Sequence, residues 1–81
     1  MMELLQADSV YDAAGLGCGE LAMALMKAIK AIEPGQLLEF RADDTGAVVD
    51  IPAWCGMTGH KLVAGPAGIK SNSYFIRKKE T

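Results

Sequence analysis

The stretch Ser9 to Gly35, SVYDAAGLGCGELAMALMKAIKAIEPG, changes its hydrophobic period once, and that change decides the fold. Ser9-Val10-Tyr11-Asp12-Ala13 has the character of a short strand, which Gly15 and Gly17 break. From Gly19 the apolar residues Leu21, Leu25, Ala28, Ile29 and Ile32 recur at the spacing of one helical face, with Lys27, Lys30 and Glu33 on the other. This predicts an amphipathic helix of about 14 residues. Pro34-Gly35 ends it, because proline cannot continue a helix and glycine accepts the left-handed turn beyond one. Met23 and Met26 are packing or edge positions of the same helix.

Outward from there, Gln36 to Ala42 alternates. Leu38, Phe40 and Ala42 share one face and Leu37, Glu39 and Arg41 the other, the pattern of a strand with one buried face. Asp43-Asp44-Thr45-Gly46 is a turn rich in capping residues. Ala47 to Met57 predicts a second helix, with Asp50 as the N-cap of its regular part and Pro52 in the first turn. Ile51, Trp54 and Cys55 then face the sheet. Gly59 ends this helix, Lys61 to Ala64 forms a third strand, and Gly65-Pro66-Ala67-Gly68 opens a loop. Ser73 to Arg77 is the last strand, with Tyr74 and Ile76 opposite Phe75. The order β-α-β-α-β-β predicts an α+β fold, a two-layer sandwich with a four-stranded mixed sheet and two helices on one face. The final two strands are close enough for a hairpin.

Composition bounds the rest. The 81 residues make one domain, and 51% apolar content argues against disorder. Two cysteines are too few for a disulfide-stapled scaffold, and their separation does not suggest a zinc knuckle. A net charge of −2 speaks against non-specific nucleic-acid binding as the main activity. The apolar run Leu21 to Ile32 contains Lys27 and Lys30 and is too short to span a membrane. The N-terminus carries Glu3 and Asp8 where a targeting segment would be basic. A cytoplasmic, reducing compartment is the expectation. Charge is uneven: residues 1–60 sum to −6 and residues 61–81 to +4. The basic end, with Arg77, Lys78 and Lys79, is expected to be a solvated tail, or else one pole of a docking surface.

Four features could carry chemistry. Cys18 follows Gly15-Leu16-Gly17 and opens the first helix. A thiol there meets unpaired N–H groups and the positive end of the helix dipole, which lower its pKa below the free value of about 8.5. Glu20 pulls the other way. A buried Cys acting as a small hydrophobe is the alternative, but the glycine-flanked position favours an exposed, reactive thiol. Cys55, beside Trp54 on an apolar stripe, has the setting of a packed structural cysteine. His60 lies at a helix-to-strand boundary, where structural or solvated roles are commonest. Asp43-Asp44 is a pair of caps before it is a catalytic dyad. Nothing in the spacing of Cys18, Cys55 and His60 builds a metal site, and no phosphate loop or Ser-His-Asp pattern is present.

The run Asp12-Ala13-Ala14-Gly15-Leu16-Gly17-Cys18-Gly19-Glu20-Leu21 resembles the signature D-x-x-G-x-x-C-P-x-P of the TusA/SirA sulfur carriers. Four further features follow in that family's order: Pro34-Gly35-Gln36, Ala42-Asp43-Asp44, Asp50-Ile51-Pro52 and Ile76-Arg77-Lys78. The resemblance covers residues 9–79 of a single domain spanning residues 1–81, and it implies the same two-layer sandwich.

It also implies a sulfurtransferase function. Cys18 would accept sulfane sulfur as a persulfide from a cysteine desulfurase or rhodanese-like donor protein and relay it to an acceptor protein. Such relays serve tRNA thiolation, cofactor assembly or sulfur oxidation. No metal or organic cofactor is implied, and neither a membrane nor stable nucleic-acid binding. Donor docking is expected around Gly19, Glu20, Met23 and Lys27, a strip running from the Cys18 end of the helix. Cys55 recurs at its place in some members and is carried as a secondary thiol. Both motif prolines are absent, replaced by Gly19 and Leu21, which loosens the helix start. The alternative that this departure opens is a non-catalytic regulatory or protein-interaction module retaining the fold.

Overall fold

The computed structural model describes residues 6–67 and 72–80. Its elements in chain order are β1 (Ser9–Asp12), α1 (Cys18–Lys30), β2 (Leu37–Ala42), α2 (Ala47–Thr58), β3 (Lys61–Ala67) and β4 (Asn72–Arg77). They form one four-stranded sheet in the order β1-β2-β4-β3. β1 runs parallel to β2, with Ser9 opposite Leu38 and Tyr11 opposite Phe40. β4 is antiparallel to β2 and to β3. This is the expected α+β sandwich of four mixed strands and two helices.

The core lies between the sheet and the helices. Leu21, Leu25, Ala28, Ile29 and Ile32 of the first amphipathic stripe are all buried, together with Ala24. Ile51, Trp54 and Cys55 join them from α2, and Leu38, Phe40, Ala42, Tyr74 and Ile76 from the two central strands. Alternation places Glu39 and Arg41 on the opposite sheet face. There the Glu39 carboxylate accepts hydrogen bonds from Ser73 Oγ at 2.8 Å and Arg41 Nε at 3.0 Å. Burial pushes the Glu39 pKa up, but those hydrogen bonds and the Arg41 charge outweigh it and leave it below the usual value. Leu37 is buried as well, so β2 hides more than its expected face.

Two expected boundaries move. α2 begins at Ala47 behind an N-cap at Gly46, so Pro52 lies inside the helix and Asp50 is not its cap. The reason is Asp44, whose carboxylate accepts the Gly46 N–H at 2.9 Å while its carbonyl accepts the Ala47 N–H at 3.1 Å. The turn is thereby nucleated early, and Asp50 N–H is already spent on Gly46 O at 2.9 Å. Pro52 costs the helix one bond, to the carbonyl of Val48. β3, expected to end at Ala64, continues to Ala67 through Gly65 and Pro66. It is an edge strand, where the missing proline N–H is tolerated. Its pairing with β4 shifts register between Leu62 and Ala64 and again before Ala67. Gly65, at φ +111°, brings its backbone so close to Ser73 that a Cβ would lie 2.4 Å from the Ser73 carbonyl oxygen. Gly68, the last of the four residues expected to open the loop, lies outside the described residues.

The basic end is not a free tail. Lys78 Nζ donates to Ile32 O at 2.7 Å, just beyond α1, and Lys79 Nζ to Thr58 O at 2.9 Å, at the end of α2. Each cation thus sits at the negative end of a helix. Lys78 also pairs by backbone bonds with Gly35 and Gln36.

Trp54 is 7% exposed and stacks on His60 with ring centroids 5.4 Å apart. Trp54→Ala should destabilise the domain by about 3–5 kcal/mol in chemical denaturation, a large share of the stability of a chain this short. A loss under about 1 kcal/mol, the size of an ordinary surface change, would mean the ring is not part of the core.

Candidate functional site

The parallel pairing of β1 and β2 puts their C-terminal ends side by side, so the loops that follow them are neighbours. The first loop, residues 13–17, leads into α1, and every backbone N–H in it has a fixed acceptor. Ala13 donates to Arg41 O at 2.7 Å, continuing the sheet, and Leu16 donates to Ala13 O at 3.1 Å in a turn. The other three go to carboxylates. Ala14 donates to Asp12 Oδ1 at 3.0 Å, Gly15 to Asp43 Oδ1 at 2.9 Å and Gly17 to Glu20 Oε1 at 3.1 Å. Glu20 thus reaches back over the first turn in the manner of a capping box. Ala13 is buried and Leu16 packs against the core, anchoring both sides of the loop.

Gly17 is the N-cap of α1 and Cys18 its first residue. The first amides of a helix have no partner within it, so the Cys18 and Gly19 N–H groups start the open, positive end. Such an array lowers the pKa of a nearby thiol. The exposed, reactive thiol expected of Cys18 concerns a side chain that lies outside the described ones. Among the described residues, no atom beyond the chain neighbours and the helix's own backbone lies within 4 Å of a Cβ built on Gly19. Leu21 differs from Gly19: its N–H donates to Gly17 O at 3.2 Å and its side chain is 1% exposed. The residue at the second motif-proline position therefore belongs to the core, and proline there would lose both the bond and the packing.

Glu20, Met23 and Lys27, expected as one strip, do line one cavity of about 260 Å³ with Tyr11, Leu16 and Ala24. Met23 is 70% exposed on its rim. Gly19 is exposed at the head of the same helix.

Cys55 lies apart from this loop, inside α2 and 3% exposed, and burial pushes its thiol up to about 11. It is protonated at neutral pH. His60 has its Nδ1 occupied as the acceptor of the Lys79 N–H at 3.1 Å. Burial first, then the charges of Lys79 and Lys78, hold its pKa below the usual value, so the ring is neutral. Among the described residues no group of His, Cys, Asp and Glu is arranged to hold a metal ion. Among the described residues no helix is long and apolar enough to cross a membrane. Sequence reasoning missed the role of Asp43, because its partner lies 28 residues away. The only available signal was a second acid beyond the one the helix cap needs.

Residues 9–78 match the family model described as Sulfurtransferase TusA. The chain is 41% identical over 78 residues to the sulfur carrier protein TusA of Pseudomonas syringae pv. tomato, covering 96% of this chain and 93% of that protein. It is 39% identical over 72 residues to the sulfur carrier protein TusA of Pseudomonas paraeruginosa, covering 89% and 91%. To that of Pseudomonas savastanoi pv. phaseolicola it is 40% identical over 78 residues, covering 96% and 93%.

At neutral pH, iodoacetamide should leave Cys55 unlabelled in the native protein and label it promptly once the chain is unfolded, as read by peptide mass spectrometry. Rapid labelling of the native form would put this thiol outside the core.

Proposed function

This chain belongs to the TusA sulfurtransferase family, and from that premise we propose that it is a sulfur carrier whose cargo rides on Cys18. The single observation that supports the assignment is the place of Cys18 in the fold. It opens α1 directly after a loop whose amides are all tied down, so the helix's free N–H groups are presented in one fixed direction. Cys55, buried and protonated, is the structural cysteine of the pair.

The chemistry needs no outside oxidant or reductant. The Cys18 thiolate attacks the terminal sulfur of a donor persulfide; the donor S–S bond breaks, a new one forms on Cys18, and the donor leaves as a thiolate. A nucleophile of the acceptor protein then attacks the terminal sulfur of the Cys18 persulfide and releases the Cys18 thiolate. Both steps are thiol–disulfide exchanges, whose rates rise with the thiolate fraction of the attacking group. A persulfide is an anion at neutral pH, and the helix start that favours the thiolate favours it too. On this reading the donor is a cysteine desulfurase or a rhodanese-like protein, and the relay operates in the cytoplasm, where thiols stay reduced. tRNA thiolation, cofactor assembly and sulfur oxidation are the routes such a carrier serves.

Incubation with a cysteine desulfurase and cysteine should add the mass of one sulfur atom to the wild type and to Cys55→Ala. Cys18→Ser should gain none. If wild type and Cys18→Ser behave alike, the carrier assignment fails and a binding module that keeps the family fold takes its place.

Docking is testable separately. Lys27→Glu should weaken donor binding without lowering the melting temperature, since Lys27 is exposed on the strip that leads from Cys18. Glu20→Lys should weaken binding and also cost some stability, because it releases the Gly17 N–H. Donor affinity unchanged in both variants places the contact elsewhere.

A further inference from the structure

We propose that Asp43 is a positioning residue for the Cys18 thiol, acting through the hydrogen bond its carboxylate accepts from Gly15. The inference rests on Cys18 being the sulfur-carrying residue. It concerns how one loop is held, and three observations carry it.

First, among the described residues Asp43 is the only side chain from outside the β1–α1 segment that accepts an N–H of loop residues 13–17. Asp12 and Glu20 belong to the segment itself, and Ala13 is bound by the Arg41 main chain. The Asp43 bond therefore ties the entry of α1 to the end of β2. Second, packing anchors the loop at Ala13 and Leu16 but does not clasp the two residues that flank Cys18. At neither Gly17 nor Gly19 does an atom of the described residues, beyond chain neighbours and the helix's own backbone, come within 4 Å of where a Cβ would sit. Third, the bond falls on Gly15, whose φ of +90° lies in the left-handed region that a free chain leaves readily. Gly15 is exposed, so without Asp43 its N–H would turn to water and the loop would lose its anchor midway. In this chain, Gly19 and Leu21 stand where the family motif has prolines, so no ring restrains the backbone after Cys18. The Asp43 bond restrains the side that precedes it.

A loosened loop misaligns the first amides of α1, which lowers the thiolate fraction. Charge acts in the opposite sense. Asp12 at the end of β1, Glu20 in the first turn of α1, and Asp43 and Asp44 in the loop after β2 are the carboxylates around this loop. A carboxylate acting on a thiol through charge alone raises its pKa. Deleting Asp43 should therefore raise the thiol pKa if it positions, and lower it if it acts only as a charge. Asn keeps the acceptor oxygen and drops the charge.

The experiment measures the pH profile of Cys18 alkylation by iodoacetamide, read at the Cys18 peptide by mass spectrometry. It uses the full-length wild type, Asp43→Ala and Asp43→Asn, each shown to be folded by circular dichroism. The expected result is a midpoint in Asp43→Ala above those of wild type and Asp43→Asn. The thiolate-to-thiol ratio at neutral pH should fall by up to about fivefold, the factor that one lost hydrogen bond of ordinary strength corresponds to. A midpoint in Asp43→Ala equal to or below that of Asp43→Asn overturns the proposal. Should the alanine variant not fold, Asp43→Ser replaces it under the same criterion, since its shorter side chain stops short of Gly15. Sulfur loading is scored separately with the desulfurase. Loading that persists in Cys18→Ser removes the premise, and the inference with it, whereas loading that depends on Cys18 beside an unmoved midpoint defeats the inference alone.

Discussion

The parallel pairing of Ser9–Asp12 with Leu38–Arg41 is the constraint on which the rest of this molecule depends. Parallel neighbours cannot be joined by a tight turn, so the chain must cross back over the sheet, and the amphipathic stripe of α1 supplies the crossover. The same pairing ends both strands at one edge. That brings the β1–α1 and β2–α2 loops together and lets the Asp43 carboxylate meet the Gly15 N–H. The start of α1 is thus built by the sheet as much as by its own residues.

The opposite end of the helices is managed with charge. Lys78 and Lys79 follow β4 and donate to the carbonyls of Ile32 and Thr58, so one short basic segment closes the C-terminal ends of both helices. α1 also ends in Lys27 and Lys30, while α2 has no basic residue in its last turn and relies on Lys79 from elsewhere. The ends of the two helices are therefore unlike in a consistent way: acids and open amides at one, cations on carbonyls at the other.

The altered motif is accommodated locally. Gly19 sits in open space, so having it in place of proline loosens the backbone and adds one N–H to the helix start. Leu21 is another matter, because the first stripe of α1 begins there and its side chain is sealed in the core. Leu21 thus extends the apolar face of α1, and at the helix start the Glu20 carboxylate closes the Gly17 N–H.

The period of the sequence determined which segments are helix and strand and which residues fill the core, because burial of one face leaves its repeat in the chain. Leu21 to Ile32, Leu38 to Ala42, and the alternation around Tyr74 and Ile76 were all legible in that way, as was Cys18 at a helix start. Asp44 as a local cap was half legible: the acids were visible, but which of them starts α2 is settled where the Asp44 carboxylate and carbonyl take the Gly46 and Ala47 N–H groups. Only the tertiary structure decided what depends on residues distant in sequence. The placing of β4 between β2 and β3, the continuation of β3 through Gly65 and Pro66, the capping by Lys78 and Lys79, and the reach of Asp43 to Gly15 are of this kind. Each is a pairing between groups that no repeat along the chain connects. Strand order and long-range hydrogen bonds are fixed by where the backbone closes in space, and a local pattern of residue types carries no record of that closure.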